Sequence, residues 1–167
     1  VNDGSFNQTA WEGMERAAEE LGVTVNYLES GTDADYAPNL ETFADEEYDL
    51  IISIGYMLAD ATRAAAEANP DTRFAIIDDA TIDLPNVTCL MFRAEQASYL
   101  AGFVAGKTTK TNNIGFVVGM TNETMNQFGY GYCAGVLDAN PDAKIQQFNA
   151  NSFADAATGK TMANTAI

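Results

Sequence analysis

Apolar residues along the chain alternate between two patterns, one typical of amphipathic helices and one typical of buried strands. From Asn7 to Leu21 apolar positions recur every three or four residues and the segment stops at Gly22, which predicts an amphipathic helix. Helices are also predicted for "DADYAPNLETFADEEY", "MLADATRAAAEANP", "RAEQASYLAGFVAGK", "ETMNQFGYGYCAGVLDANP" and "ADAATGKTMANTAI". Strands are predicted for "VTVNYLE", "DLIISIG", "RFAIIDD", "NVTCLMF", "NIGFVVG" and "KIQQFN". This alternation predicts an α/β fold with parallel sheets and right-handed crossovers.

The order of these segments predicts two α/β lobes. The helix at 93–107 is followed by the polar run "TTKTNN" and then by a fresh strand, as expected where a chain crosses between lobes. We therefore predict an N-terminal lobe over 1–106, a crossing over 107–113 and a partial C-terminal lobe over 114–167. Because a helix comes first, we expect one strand of the first lobe to lie upstream of this chain. The residues of the 93–107 helix predicted to face inward are Ala97, Leu100, Ala101 and Val104.

Ligands of open α/β sheets bind beyond the carboxyl ends of the strands, so the residues that follow each strand are the candidate site. They are aromatic, amide and carboxylate groups that contain no pair of nucleophile and base. The candidates at this edge are the opening loop, Gly55 and Tyr56, Asp78 and Asp79, Phe92 and Arg93, and Gly119 and Met120.

Phe6 stands among turn and helix-start residues in "VNDGSFNQTAWEGM", which places it on a loop at a helix entrance. Two interpretations are open. It could be a hydrophobic staple that packs on Ala10 or Trp11. It could instead be a stacking platform for a flat ligand, with Ser5 and Asn7 offering hydrogen bonds beside it.

Composition removes several functional classes. With 24 acidic and 8 basic residues the net charge is −16, which repels phosphate backbones, so no nucleic-acid partner is expected. The chain has no histidine, which excludes His general bases and His metal ligands within it. No apolar run approaches the roughly 18 residues that span a bilayer. Cys89 and Cys133 have no CxxC spacing and are predicted to be buried thiols. We expect neither a cofactor nor a metal.

Three near-matches to catalytic motifs fail on spacing or context. "GFVAGKT" has three residues between its glycines where a P-loop needs four, and it ends a helix. The glycines of "GYGYCAG" miss the dinucleotide spacing, so helix packing is the better explanation. Asp78 and Asp79 are adjacent at a strand end and point to opposite sides, so they do not form a facing catalytic pair.

Six segments, in this order, resemble the BMP family of basic membrane lipoproteins, the nucleoside-binding components of bacterial ABC importers. They are "DGSFNQTAWEGM", "YDLIISIGYMLADA", "FAIIDD", "NVTCLMFRAEQASYLAGFVAG", "NIGFVVGM" and "FGYGYCAGV". The resemblance implies a periplasmic-binding-protein-like fold of two lobes that close over a nucleoside, usually a purine nucleoside. It also implies a chain truncated at both ends, without the first strand and much of the second lobe.

The resemblance assigns roles to individual residues. Phe6 would stack on the base, Ser5 and Asn7 match the polar neighbours of that motif, and Asp78 matches an aspartate that meets the base edge. Gly119 and Met120 would approach the ligand from the second lobe. The implied partners are a nucleoside and a membrane permease, and the implied location is extracytoplasmic, with a lipid anchor outside this chain. The alternatives are a ligand sensor or regulator on the same scaffold and, third, a nucleoside hydrolase.

Overall fold

The computed structural model describes residues 2–166, which form two compact units. The first unit ends at Met91 and the second begins at Phe92. Each unit has its own parallel sheet, with three strands in the first and two in the second. The predicted α/β class with parallel sheets flanked by helices is confirmed.

The first unit alternates helices and strands in the predicted order. Its sheet has the order β1-β2-β3, with all neighbours parallel. A 3-10 turn precedes α2 and another precedes α3. The elements are α1 (Phe6–Leu21), α2 (Tyr36–Asp45), β1 (Leu50–Ile54), α3 (Ala59–Ala68), β2 (Arg73–Ile77) and β3 (Val87–Leu90).

The core of the first unit forms where α2 and α3 meet the sheet. Strand β2 is the central strand and buries three consecutive residues, as expected of a parallel strand covered on both faces. One polar pair lies inside, where the hydroxyl groups of Ser53 and Thr62 are hydrogen-bonded at 2.6 Å. The buried apolar cluster consists of Leu40, Ile51, Ala65, Ala66 and Phe74.

The predicted strand "VTVNYLE" (23–29) is not a strand in the structure. A β-strand exists by virtue of backbone hydrogen bonds to a neighbour, and within residues 2–166 this segment has no ladder partner. Its side chains are held instead by other elements. The ring of Tyr27 meets Trp11 edge-on at 4.8 Å between centroids, and the amide of Asn26 donates to the hydroxyl of Tyr48 at 3.3 Å.

The second unit continues the same alternation. Strands β4 and β5 pair in parallel over six residues, from Asn113 opposite Lys144 to Val118 opposite Asn149. The elements are α4 (Ala94–Thr108), β4 (Asn113–Val118), α5 (Glu123–Ala139), β5 (Lys144–Asn149) and α6 (Ala156–Thr165).

Helices α4 and α5 pack with their backbones in direct contact. A Cβ on Gly102 would overlap the carbonyl group of Tyr132, and a Cβ on Gly131 would overlap the carbonyl group of Glu95. Only glycine therefore fits at these two positions. The helix-packing interpretation of "GYGYCAG" is confirmed, and "GFVAGKT" lies wholly inside α4, where no phosphate-binding loop can form.

The predicted inward face of α4 is wrong. Ala97, Leu100, Ala101 and Val104 are exposed, whereas Ala94, Ser98, Gly102 and Gly106 are buried. The prediction chose the bulkier apolar face, but α5 approaches along the smallest residues because only there can two backbones come so close.

Because of this packing, α4 groups with α5 in the second unit. The predicted crossing at 107–113 instead assigns α4 to the first lobe. The two sheets do fall on either side of 107–113, but contacts divide the chain between Met91 and Phe92, ahead of α4. The two cysteines also differ from the prediction, since both are partly exposed, and neither is in a disulfide.

Candidate functional site

Gly55 and Asp78 follow the ends of two neighbouring strands in the first unit. Ile54, the last residue of β1, is paired with Ile77, the last residue of β2. The residues that come next therefore lie at the same carboxyl edge of the sheet, one strand spacing apart. This is the edge at which α/β sheets bind ligands.

The ring of Phe6 lies near Gly55, on the side where a side chain of residue 55 would stand. A Cβ built on Gly55 would be 3.6 Å from Cε1 of Phe6, which is van der Waals contact. Gly55 has φ 102° and ψ 148°, a conformation that side-chain-bearing residues rarely adopt. Phe6 remains 39% exposed. The ring thus lies near the sheet edge and keeps a large surface open.

Phe6 is the first residue of α1 and does not lie on a preceding loop as predicted. The helix begins one residue earlier than the sequence pattern indicates, with Ser5 as its N-cap. In a hydrophobic staple the apolar residue precedes the N-cap, so the position of Phe6 is not that of a staple.

Asp3 holds the start of α1. One carboxylate oxygen accepts the backbone N–H groups of Ser5 and Gln8, both at 3.0 Å. The other accepts the backbone N–H of Asn7 at 3.1 Å and its side-chain Nδ2 at 2.9 Å. The bond from Gln8, followed by that from Ser5, holds the pKa of Asp3 far below its ordinary value. The carboxylate therefore satisfies helix donors that Ser5 leaves unpaired.

Ser5 and Asn7, the predicted polar neighbours of Phe6, differ in how much of their chemistry is already used. The hydroxyl of Ser5 makes no capping bond, while its carbonyl oxygen accepts from the backbone N–H and the hydroxyl of Thr9 at 2.9 and 2.8 Å. The side-chain amide of Asn7 is bonded to Asp3. Both residues are exposed beside Phe6.

The adjacent carboxylates of Asp78 and Asp79 have separate roles. Asp79 is buried and accepts the backbone N–H and the hydroxyl of Thr81, each at 2.8 Å, so it holds a turn. Asp78 has φ 65°, donates its backbone N–H to Leu90 at 2.9 Å and keeps its side chain half-buried. Partial burial raises the pKa of Asp78. Of the two, Asp79 therefore has a structural role in the turn.

In the second unit, Gly119 follows β4 and lies against an aromatic ring. A Cβ on Gly119 would overlap the ring of Phe153, which comes after β5 and is 56% exposed. The two residues line an open cavity of about 340 Å³ together with Val117, Ala150, Ser152, Ala154, Asp155, Ala156 and Gly159. Gly119 thus has an aromatic neighbour that the sequence did not predict.

Hydrogen bonds tie the loop that carries Gly119 and Met120 to the loop after β5. The carbonyl oxygen of Gly119 accepts the backbone N–H of Ser152 at 2.8 Å. The side-chain amide of Asn149 donates to the hydroxyl of Thr121 at 2.6 Å. These bonds flank Met120 on both sides, so the two loops form one connected surface.

The structure brings most of the predicted residues into two local groups. Phe6, Gly55 and Asp78 share the edge of the first unit, and Ser5 and Asn7 flank Phe6. Gly119 and Met120 occupy the corresponding edge of the second unit. Sequence reasoning missed Asp3 and Phe153. The signal for Asp3 was an aspartate two residues before a cap position, and the signal for Phe153 was a lone aromatic after a strand.

Two further properties concern residues 2–166. No three or more His, Cys, Asp or Glu side chains lie where they could hold a metal ion together. None of the helices in this part of the chain is both long and apolar enough to cross a membrane.

Comparison with known proteins gives one consistent result. The chain is 44% identical over 170 residues to the CD4+ T-cell-stimulating antigen of Listeria monocytogenes, with 99% of this chain and 48% of that protein covered. It is 42% identical over 167 residues to the ABC transporter nucleoside-binding protein BmpA of Lactococcus lactis, with 98% and 48% covered. The chain spans about half the length of the curated relatives it matches.

A solved structure and a family model point to the same class of protein as these relatives. An ABC transporter solute-binding protein from Aeropyrum pernix superposes with a TM-score of 0.86 at 30% identity, over 98% of this chain and 48% of that one. The family model described as Bmp, ABC transporter substrate-binding protein PnrA-like, matches residues 1–167. The chain belongs to the Bmp family of ABC transporter substrate-binding proteins.

Proposed function

We propose that the protein containing this chain binds nucleosides, purine nucleosides in particular, and delivers them to the permease of an ABC importer. The observation that carries the proposal is the exposed ring of Phe6 near Gly55, at the carboxyl edge of the first sheet that also carries Asp78. A flat apolar face next to a hydrogen-bond acceptor suits a heterocyclic base. The name of the Lactococcus lactis relative, a nucleoside-binding protein, supports this ligand class.

Each residue has a distinct role in the proposal. The base stacks on Phe6, and the carboxylate of Asp78 accepts an N–H from the edge of the base. Asn7 and Ser5 bond the ligand beside the ring, and Gly119 and Met120 are the ligand-contacting residues proposed within the second unit. Phe153 adds a second aromatic surface next to Gly119. The protein binds and releases its ligand unchanged and is not an enzyme.

The proposed partner is a membrane permease, which receives the ligand after the binding protein has captured it. The proposed location is therefore the outer side of the bacterial cell membrane, with attachment through a lipid anchor that lies outside this chain. Nucleic acid is not a partner, because the net charge of −16 repels a phosphate backbone.

The test is calorimetry on the full-length protein with inosine, adenosine and guanosine, and with ribose and glucose as controls. We expect saturable binding of nucleosides and no binding of the free sugars. After the titration, the inosine in the calorimeter sample is analysed by chromatography, which should show no free hypoxanthine. Binding of a sugar without binding of any nucleoside would overturn the ligand class, and release of hypoxanthine would point to a hydrolase.

A further inference from the structure

The start of α1 contains a carboxylate that touches a proposed ligand-binding side chain. Oδ2 of Asp3 accepts the side-chain Nδ2 of Asn7 at 2.9 Å and also its backbone N–H at 3.1 Å. Asn7 follows Phe6, the residue whose ring lies near Gly55. The backbone and the side chain of Asn7 are therefore bound by the same oxygen atom.

This contact determines which end of the Asn7 amide faces the carboxylate. An amide has one end that donates and one that accepts, whereas an ionised carboxylate can only accept. The pKa of Asp3 lies far below its ordinary value because backbone N–H groups surround it, so Asp3 is ionised at neutral pH. If the Asn7 amide were reversed, two acceptor oxygens would face each other. The donating end of Asn7 is thus fixed on Asp3.

We infer that Asp3 is a positioning residue for ligand recognition: it orients the amide of Asn7 so that Oδ1, a hydrogen-bond acceptor, is the atom offered to the ligand. This inference rests on the proposed function. Asp78, the other polar group at this edge, is a carboxylate and so also an acceptor. Both groups then require hydrogen-bond donors on the ligand, such as the ring N–H, exocyclic amine and hydroxyl groups of a nucleoside.

The variant that tests this is Asp3→Asn in the full-length protein. An asparagine at 3 keeps one oxygen for the backbone N–H groups of Ser5 and Gln8, and asparagine is itself a good capping residue, so α1 should persist. Its other end becomes a donor that faces both the Nδ2 and the backbone N–H of Asn7, so that backbone N–H loses its acceptor. We expect Asn7 to reverse and to present a donor to the ligand.

The matched control is Asp35→Asn. Asp35 also holds a helix start, accepting the backbone N–H groups of Gly31 at 2.9 Å and Thr32 at 2.8 Å, and it contacts none of the proposed binding residues. Asp35 accepts these bonds through one oxygen, which asparagine keeps, so Asp35→Asn should lower the melting temperature of the ligand-free protein no more than Asp3→Asn does. Asp3→Asn should weaken inosine binding roughly three- to tenfold, the loss expected for one neutral hydrogen bond to the ligand, and Asp35→Asn should leave it within about twofold.

A double-mutant cycle with Asn7→Ala shows whether Asp3 acts through Asn7. Once Asn7 is alanine, Asp3→Asn should change inosine affinity by less than about twofold. The same loss in both backgrounds, or an Asp3→Asn variant that binds as tightly as wild type, would overturn the inference.

A second readout does not depend on the ligand. The side-chain amide protons of Asn7, identified in NMR spectra by their disappearance in Asn7→Ala, should shift on Asp3→Asn and stay in place on Asp35→Asn. Unchanged Asn7 signals in Asp3→Asn would overturn the orientation even if nucleosides bind. Absence of inosine binding by the wild type would instead overturn the proposed function, and the amide signals would still decide the orientation.

Discussion

Replacement of Phe6 by alanine separates the binding role of the ring from a structural role. The contact between a base and an aromatic ring is worth roughly 1–3 kcal/mol, so Phe6→Ala should raise the dissociation constant for inosine roughly 5- to 150-fold. The ring is 39% exposed and lies outside the buried apolar cluster of the first unit, so its removal leaves no enclosed cavity. We expect the free energy of unfolding to fall by only about 1 kcal/mol.

The assays are calorimetry with inosine and thermal unfolding without ligand, both on the full-length protein. Two further variants separate ring shape from apolar volume. Phe6→Trp keeps a flat face and should retain most of the affinity, whereas Phe6→Leu keeps apolar volume without a flat face and should behave like alanine. The melting temperatures of Phe6→Trp and Phe6→Leu without ligand should be nearly equal.

Phe43→Ala is the matched control, because it removes the same ring from a structural position. Phe43 packs against the buried cluster and meets Tyr48 edge-on at 4.8 Å between centroids. This variant should lose roughly 2–4 kcal/mol of stability and keep its affinity where it remains folded. A Phe6→Ala protein that melts as early as Phe43→Ala but still binds inosine normally would refute the platform.

Three further variants concern the backbone at Gly55, an open position inside α1 and the carboxylate of Asp78. Gly55→Ala should lower the free energy of unfolding by roughly 1–3 kcal/mol, because alanine is strained at φ 102°. Gly13→Ala, at an open position inside α1, should raise it by roughly 0.5–1 kcal/mol, and urea unfolding measures both. Burial raises the folded-state pKa of Asp78 above its ordinary value, so its ionisation costs stability as the pH rises through the folded-state pKa. Asp78→Asn should therefore gain stability relative to wild type between pH 3 and pH 7, and an equal difference at both pH values would contradict this.

Local sequence patterns were sufficient to predict most elements of the fold. The short, continuous apolar runs "DLIISI" and "RFAII" are typical of buried parallel strands, and they pair with each other as β1 and β2. The alanine-rich segment before Pro70 became α3 because its apolar positions recur at helical spacing. Such patterns reflect the local environment of each residue, which is why they carry over to the structure.

Features that depend on a distant partner could not be read from the same patterns. The buried face of α4 is set by the close approach of α5, and the sequence shows only that glycines are present on one side of each helix. The contact of Phe153 with Gly119 joins the ends of two strands, and hydropathy gives no sign of it. The segment 23–29 has strand-like composition, but pairing decides whether it becomes a strand.

The backbone at Asp78 carries strain that a glycine at this position would not have. A residue with a side chain at φ 65° carries roughly 1 kcal/mol of strain, and the carboxylate is in addition partly withdrawn from water. Glycine would remove both costs, and under the proposed function it would also remove the acceptor for the edge of the base. Asp78→Gly should leave the free energy of unfolding within about 1 kcal/mol of wild type while nucleoside binding falls at least roughly tenfold. Asp79→Gly should do the opposite, because the buried carboxylate of Asp79 holds the turn at Thr81. If Asp78→Gly unfolds readily and the surviving folded protein binds inosine as wild type does, Asp78 is a structural residue and the ligand must be recognised elsewhere.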